Sequence, residues 1–185
     1  MFVRDTLAGT TVRVSVSTNG AAANGDSDQA AITFNGRFVA FRSAATNLVA
    51  GDTNGKADIF LRDRFLGTTV RVSIGNGGNP GGGALGVQID QEGRVWGAAN
   101  GPCRLIEADV ATKKFIKTDI VLPGCGSPWG VSIDNEGYVW VVDKANKAYK
   151  VDPDTYEIKL IVMGLVDPYT YSDMTGQGLQ LVLPQ

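Results

Sequence analysis

Residues 2–16 read FVRDTLAGTTVRVSV and residues 60–74 read FLRDRFLGTTVRVSI, with ten of fifteen positions identical. A second pair of repeats, GVQIDQEGRVWGA at 86–98 and GVSIDNEGYVWVV at 130–142, shares eight of thirteen positions. Internal repeats of this kind are typical of folds that stack copies of one supersecondary unit. The chain therefore opens on a segment that recurs later as the second half of a module.

All the repeats follow one pattern of short strands joined by tight turns. Ile32, Ile89 and Ile133 each stand four residues before a glycine, and a β-rich run follows each glycine. This spacing predicts a strand, a tight turn and a second strand. The segment DIFLRDRFLGTTVRVSI at 58–74 predicts a further pair of strands around a polar turn. Helical periodicity is absent from the chain.

Four-stranded antiparallel modules repeated head to tail predict an all-β fold, the β-propeller. Complete blades are expected at 29–74, 84–122 and 128–163. Two halves remain, an outer strand pair at 2–16 and an inner strand pair in YSDMTGQGLQLVL at 171–183. Joining them would build a closing blade from both termini and pair strand edges that are otherwise open. The chain would then hold four blade-equivalents.

Two assemblies follow from this count, and the sequence leaves both open. A ring of four blades needs strongly wedge-shaped sheets, which a closed monomer would have to provide. Two copies that exchange their terminal halves would instead form a C₂ homodimer, an eight-bladed ring. The partner expected from the sequence is therefore either a second copy of the chain or none.

Composition narrows the classes of function. The chain has 185 residues, enough for a single domain over 1–185, and a net charge of −2 without any basic run. It is expected to bind neither nucleic acid nor membrane, and to be soluble with no signal peptide of its own. It contains no histidine, the usual general base and a common metal ligand, so no enzymatic activity is expected.

The first part of the chain resembles the TolB-type, WD40-like bacterial propeller repeats. The resemblance spans 1–74 and is carried by the opening repeat and by NGDSDQAAITFNGRFVAFRSAATNLVAGDTNGKADIFLRDR at 24–64. It implies a propeller fold and an origin among periplasmic or secreted proteins, although the compartment of this chain stays open. It also raises the expectation of bound Ca²⁺.

The second part, 84–185, resembles a different lineage, the NHL and virginiamycin-B-lyase-like propellers. SPWGVSIDNEGYVWVVDKANKAYKVDPDT at 127–155 and YTYSDMTG at 169–176 carry the resemblance. Such lyases imply chemistry that depends on histidine and a divalent metal, and the histidine is missing here. A glycine-rich join, GNGGNPGGG at 75–83, separates the two parts. A recombined or engineered chimera accounts for this change of lineage, and one natural propeller with diverged blades is the alternative.

Acidic loops suggest a cation site. In a propeller, the loops between the second and third strands share one face, the top face, with the connections between blades. NGDSD at 24–28 and GDTNGKAD at 51–58 would therefore lie close together. Their side chains offer the hard oxygen ligands that Ca²⁺ prefers. The candidate ligands are Asp26, Asp28, Asp52, Asn54 and Asp58; the alternative is that they only build turns.

Two further predictions concern the same face in the second part. Cys103 and Cys125 lie on loops at one end of one blade and could form a disulfide, with two free thiols as the alternative. Trp96 and Trp140 occupy equivalent strand positions and are expected to pack between blades. Trp129, at the mouth of a strand, is either a packing residue or a stacking platform for a ligand. Together these features favour a non-catalytic propeller scaffold; the alternative is a module that binds a ligand or protein with its top-face loops, stabilised by Ca²⁺.

Overall fold

The computed structural model describes residues 1–73, 84–100, 102–166 and 168, and every regular element in these ranges is a β-strand. The strands are β1 (Phe2–Asp5), β2 (Thr10–Arg13), β3 (Ser27–Ile32), β4 (Phe38–Ser43), β5 (Asp58–Asp63), β6 (Thr68–Arg71), β7 (Ala84–Ile89), β8 (Arg94–Ala99), β9 (Arg104–Asp109), β10 (Lys114–Val121), β11 (Pro128–Ile133), β12 (Val139–Asp143), β13 (Lys147–Val151) and β14 (Ile158–Met163). Within these ranges no helix has the length and apolar character needed to cross a bilayer.

The strands form three four-stranded antiparallel sheets and one two-stranded sheet. Each sheet places sequence neighbours side by side, in the orders β3-β4-β5-β6, β7-β8-β9-β10 and β11-β12-β13-β14. We call these sheets blade 1, blade 2 and blade 3, and we call β1-β2 the N-terminal pair. This all-β arrangement of four-stranded meanders confirms the predicted propeller architecture.

The predicted blade boundaries agree closely with the sheets. Blade 3 was expected at 128–163 and occupies Pro128–Met163, and blade 2 ends one residue before its predicted end, at Val121. Blade 1 begins earlier than expected, at Ser27, and its last strand ends at Arg71. The glycine-rich join at 75–83 and the C-terminal segment 171–183 lie outside the described residues.

The glycine of each repeat makes the turn between the first two strands. Gly36, Gly93 and Gly137 have φ values of 69°, 84° and 88°, a left-handed conformation that disfavours residues with a Cβ. Each glycine N–H donates to the carbonyl three residues earlier, over 2.8 to 3.2 Å. The recurring spacing between isoleucine and glycine in the sequence is therefore a requirement of the turn.

The hydrophobic core lies between the faces of neighbouring blades. Successive residues of a strand point to opposite faces, so β4 turns Phe38 and Ala40 toward blade 2 and Val39 and Phe41 toward the N-terminal pair. The core between blades 2 and 3 has Trp96 at its centre, with no exposed surface. Its other buried members are Ala98, Leu105, Ile120, Leu122, Val131, Val139, Val141, Tyr149 and Val151.

The N-terminal pair is fastened to blade 1 by the segment that follows it. Val14 is 1% exposed and packs in the core of blade 1, whereas all of β2 is exposed. The Thr69 hydroxyl on β6 donates to the Val16 carbonyl at 2.6 Å. The Thr69 backbone N–H donates to the Thr18 hydroxyl at 3.0 Å. These bonds hold the start of the chain on the outer edge of blade 1.

Candidate functional site

A buried ion cluster lies where β5 and β6 of blade 1 meet the preceding loop. Arg71 places one guanidinium nitrogen 2.8 Å from Asp52 Oδ1 and 3.5 Å from Asp58 Oδ2. The three side chains are 8%, 2% and 2% exposed, in the same order. Burial, together with the negative charge of Asp58, raises the pKa of Asp52. Asn54 and Ser73 also donate to Asp58, so this carboxylate is held from three sides.

The other two predicted calcium ligands lie apart from this cluster. Asp28 was predicted to lie in a loop, and this is wrong: β3 starts at Ser27, so Asp28 lies inside the strand. There its carboxylate pairs with Arg42 on β4 at 2.8 Å. Asp26 contributes its backbone carbonyl to the turn, where it accepts hydrogen bonds from Ala44 and Ser43.

The structure therefore brings Asp52, Asn54 and Asp58 into one cluster and gives Asp26 and Asp28 other partners. In the part of the chain that the structure describes, no group of three or more Asp, Glu, Cys or His side chains is placed to hold a metal ion. Ca²⁺ takes six to eight oxygen ligands. Arg71 already supplies the positive charge between Asp52 and Asp58. Arg71 thus takes the position between the two carboxylates that a cation would occupy, and Ca²⁺ binding stays a prediction to be tested by melting.

A disulfide closes the top of blade 2. The structure joins Cys103, before β9, to Cys125, in the connection between β10 and β11, with a Cα–Cα distance of 5.8 Å. Both residues pack against the core between blades 2 and 3. The loops lie together, as expected for the top face of one blade.

Asp143 organises the connection that follows the disulfide. Its side chain is fully buried and accepts the backbone N–H groups of Gly126, Ser127 and Ala145 at 3.0, 2.8 and 3.1 Å. Burial alone opposes ionisation, but the three N–H donors outweigh it and lower the pKa of Asp143. Tyr149 adds a hydrogen bond from its hydroxyl to the Pro123 carbonyl. The connection between blades 2 and 3 is therefore held by one ionised carboxylate.

Trp129, the predicted stacking platform, lies beside this connection. Its side chain is half-buried at the start of β11. The Lys144 ammonium lies 4.8 Å from the ring centroid, a cation–π distance. One face of the ring thus carries a cation supplied by the chain itself. A role for Trp129 in ligand stacking remains a prediction.

Trp96 packs between blades 2 and 3, as predicted. The prediction is wrong for Trp140, which packs with Val142 and Ala148 of its own blade 3. Each tryptophan also makes a hydrogen bond that the prediction missed. The Trp96 indole N–H donates to Asp90 Oδ2 at 2.9 Å, and the Trp140 indole to Asp134 Oδ2 at 2.8 Å. Burial opposes ionisation of Asp134, yet hydrogen bonds from Trp140 and Lys150 lower its pKa. The signal was present in the sequence, since both repeats place an aspartate six residues before the tryptophan.

A second polar network links blade 2 to blade 3. Glu107 on β9 is 2% exposed and accepts the Tyr156 hydroxyl at 2.7 Å. Burial raises the pKa of Glu107, and burial together with this bond raises the pKa of Tyr156 to about 12. Arg94 bonds Asp90 at 2.6 Å on its own blade and Asp154 at 2.6 Å on blade 3. The bonds from Tyr156 to Glu107 and from Arg94 to Asp154 fix one blade relative to the other.

Comparison with known proteins gives the fold but no family. No protein-family model and no curated protein matches the chain. Among solved structures, TolB from Acinetobacter baumannii matches with a TM-score of 0.56 and 13% identity, over 90% of this chain and 38% of that one. A chain of the nidogen/laminin complex matches with a TM-score of 0.60 and 12% identity, over 91% and 58% respectively.

These matches bear out the resemblance to TolB-type and NHL-type propellers at the level of fold. The chain has the β-propeller fold. At 12–13% identity the likeness carries no activity from one protein to another. The chain also spans only 38% and 58% of the length of the two proteins.

Proposed function

We propose that this chain is a non-catalytic β-propeller scaffold. One observation carries the proposal: in the described ranges, every carboxylate that is buried accepts hydrogen bonds or an ion pair from groups that hold the fold together. These carboxylates are Asp52, Asp58, Asp63, Glu107 and Asp143. Catalytic carboxylates need a reacting group within reach, whereas these face loops and blade interfaces.

Asp63 illustrates this structural use of charge. Its side chain has no exposed surface. It accepts two hydrogen bonds from the Arg37 guanidinium, at 3.2 Å to Oδ1 and 2.9 Å to Oδ2. The N–H groups of Phe65 and Leu66 complete its coordination at 3.0 and 3.1 Å. The carboxylate thereby shapes the turn between β5 and β6, as Asp143 shapes the connection before β11.

Neutralising these carboxylates tests the proposal. Asp63→Asn and Asp143→Asn would each turn an amide NH₂ toward an N–H or guanidinium donor, so we expect both variants to melt at a lower temperature than the parent chain. Functional carboxylates behave oppositely in many proteins, because removing their mutual strain raises stability. A higher melting temperature for either variant would therefore argue that its carboxylate serves a site. Asp5→Asn, on the exposed N-terminal pair, is the matched control.

We further infer that the scaffold is a recombined or engineered chimera. Blades 2 and 3 fasten their second strand to the preceding turn through the same bond between aspartate and tryptophan. Blade 1 has Thr33 and Val39 at the equivalent positions, counted from the turn glycine. There the Thr33 hydroxyl accepts the Phe38 N–H of the second strand at 3.0 Å, and Arg37 of the turn pairs with Asp63 on the third strand. Two solutions to one packing problem, on either side of the glycine-rich join, support two origins.

Closure of the ring is the remaining part of the proposal. Among the described strands, β1 pairs only with β2, so one edge of β1 has no strand beside it. We propose that residues 171–183 complete this sheet, either from the same chain or from a second copy. Light scattering decides between them: a mass of 19.5 kDa supports the four-bladed monomer, and twice that mass supports the eight-bladed homodimer. A chain shortened to residues 1–168 should lose stability in both cases; unchanged stability would contradict the closure.

A binding module that uses its top-face loops is the second candidate. The half-buried ring of Trp129 beside Lys144 favours it, since such a pair offers a polar and an aromatic contact together. A glycan array and a Trp129→Ala variant test this function. Binding by the parent chain that the variant loses would replace the scaffold proposal, and silence of the parent chain would remove this candidate for glycans.

A further inference from the structure

Blade 1 exposes three large apolar side chains on two neighbouring turns. Phe34 is 110% exposed, Phe65 is 81% exposed and Leu66 is 58% exposed. We call these three residues the apolar tip. Phe34 belongs to the turn between β3 and β4, and the other two belong to the turn between β5 and β6. Antiparallel pairing of Phe38 with Asp63 brings both turns to the same end of the blade.

Direct bonds tie the two turns into one surface. The Arg64 N–H donates to the Arg37 carbonyl at 2.8 Å, and the Arg64 guanidinium donates to the Gly36 carbonyl at 2.6 Å. The Arg37 guanidinium carbon lies 5.4 Å from the centroid of the Phe65 ring. The two turns that carry the apolar tip are therefore held side by side at one end of blade 1.

The turns themselves do not require apolar residues. Counted from the turn glycine, Gln91 of blade 2 and Asn135 of blade 3 take the position of Phe34. Counted from the capping aspartate, Thr112 and Thr155 take the position of Leu66. The caps are the same in kind, since Asp109 and Asp152 also accept backbone N–H groups there. Blades 2 and 3 thus build these turns with polar residues at the positions of Phe34 and Leu66, whereas the opening repeat carries Leu7, 100% exposed, at the position of Phe65.

Positive charge surrounds the apolar tip. Arg37, Arg64 and Lys113 lie at this end of blade 1, and the Lys113 ammonium is 3.6 Å from Asp63. Asp63 is the carboxylate that Arg37 and Lys113 share, and its side chain is fully buried. Arg37, Arg64 and Lys113 supply three positive charges there, against the enclosed Asp63 and the Asp109 carboxylate that starts the turn of Lys113, on a chain whose net charge is −2. This end of the blade is locally cationic.

We propose that the apolar tip inserts into the interface of an anionic lipid bilayer. Exposed apolar patches on folded domains mark contact surfaces. Two convex turns with Phe and Leu at their ends match shallow insertion among lipid headgroups, and the cations behind them match a negative lipid surface. The inference goes beyond the scaffold proposal and does not depend on it. It departs from the expectation that the chain binds no membrane, which rested on the net charge and the absence of basic runs in the sequence.

Sedimentation with lipid vesicles tests this inference. The parent chain should sediment with vesicles of phosphatidylcholine and phosphatidylserine, and less with phosphatidylcholine alone. The variant Phe34→Ser/Phe65→Ser/Leu66→Ser should bind the mixed vesicles at least about tenfold more weakly, because it loses most of the inserted apolar area. Added salt should weaken binding of the parent chain, since it screens the cations.

A matched control separates the apolar tip from general exposure of apolar residues. Met163→Ser/Val166→Ser removes side chains that are 70% and 90% exposed on and after β14, and it should bind as the parent does. Circular dichroism should show that both variants keep the strand content of the parent. The inference is overturned if the parent ignores anionic vesicles or if the tip variant binds unchanged. Self-association that the tip variant loses, with no vesicle binding, would assign the surface to a second copy and also overturn it.

Discussion

Trp96 donates its indole N–H to Asp90 at 2.9 Å inside the core between blades 2 and 3. Asp90 also accepts Arg94 at 2.6 Å, so one turn carboxylate fixes both the central tryptophan of the core and an arginine that reaches the next blade. Asp90 thereby links the turn after β7 to Trp96 in the core between the two blades.

Removing the indole N–H should measure this coupling. In Trp96→Phe the smaller ring still fills most of the space, but Asp90 Oδ2 loses the hydrogen bond from the indole. We expect this lost bond to lower the free energy of unfolding by about 1 kcal/mol, in addition to the effect of the poorer packing. Trp96→Ala should cost about 3–5 kcal/mol, because it empties the centre of the core. Urea denaturation measures both. Trp140→Phe breaks the equivalent bond and serves as the matched comparison; stability equal to that of the parent in both Phe variants would contradict the coupling.

The disulfide should stabilise the chain by restricting its unfolded state. Closure of the 22-residue separation between Cys103 and Cys125 contributes about 3 kcal/mol when the link is unstrained. The variant Cys103→Ser/Cys125→Ser should lose about this amount in urea denaturation. Reductant should lower the stability of the parent by a similar amount and leave the double variant unchanged. A reductant effect of equal size on the double variant would show that the disulfide is not its cause.

Acid should remove a contribution of Asp63. The Arg37 hydrogen bonds outweigh burial and, with the N–H groups of Leu66 and Phe65, hold the pKa of Asp63 well below its usual range. A depressed pKa in the folded state stabilises the fold above the unfolded value, about 3.9, and that contribution falls as the pH drops toward the folded pKa. We expect Asp63→Asn to be less stable than the parent at neutral pH and to lose less stability on acidification. Parallel pH profiles for the two proteins would contradict this assignment.

Glu107 should show the opposite sign. Burial raises its pKa in the folded state, so the protonated form is favoured there. Its contribution is fully present below the unfolded pKa, about 4.3, and is lost as the pH rises through the folded pKa. Glu107→Gln stays neutral and still accepts the Tyr156 hydroxyl. Measured by urea denaturation, the stability of the Gln variant relative to the parent should therefore increase between acid and neutral pH, and a difference independent of pH would refute the expectation.

Short sequence patterns predict the strands and turns of each blade, whereas they do not predict which side chains make contact between blades. The turn glycines and the alternation of the strands predicted the sheets nearly residue by residue, because both depend on neighbours within one hairpin. The bond from Tyr156 to Glu107 spans 49 positions, and that from Arg94 to Asp154 spans 60. No periodicity specifies such pairs. The acidic loops show a related limit: their spacing suggested metal ligands, but it did not indicate that Arg71, on the neighbouring strand β6, pairs with Asp52 and Asp58.

Calcium should leave the melting temperature unchanged. A ligand that binds only the folded state must raise the melting temperature, and Ca²⁺ at Asp52 and Asp58 would first have to displace Arg71, which lies 2.8 Å from Asp52. Melting in millimolar Ca²⁺ and in chelator should therefore give the same midpoint for the parent chain. Arg71→Gln is the informative variant, since it leaves two buried carboxylates without their cation. Stabilisation of this variant by Ca²⁺, with none for the parent, would show that Arg71 occupies the place of the ion; stabilisation of the parent that Asp52→Asn abolishes would instead establish the calcium site.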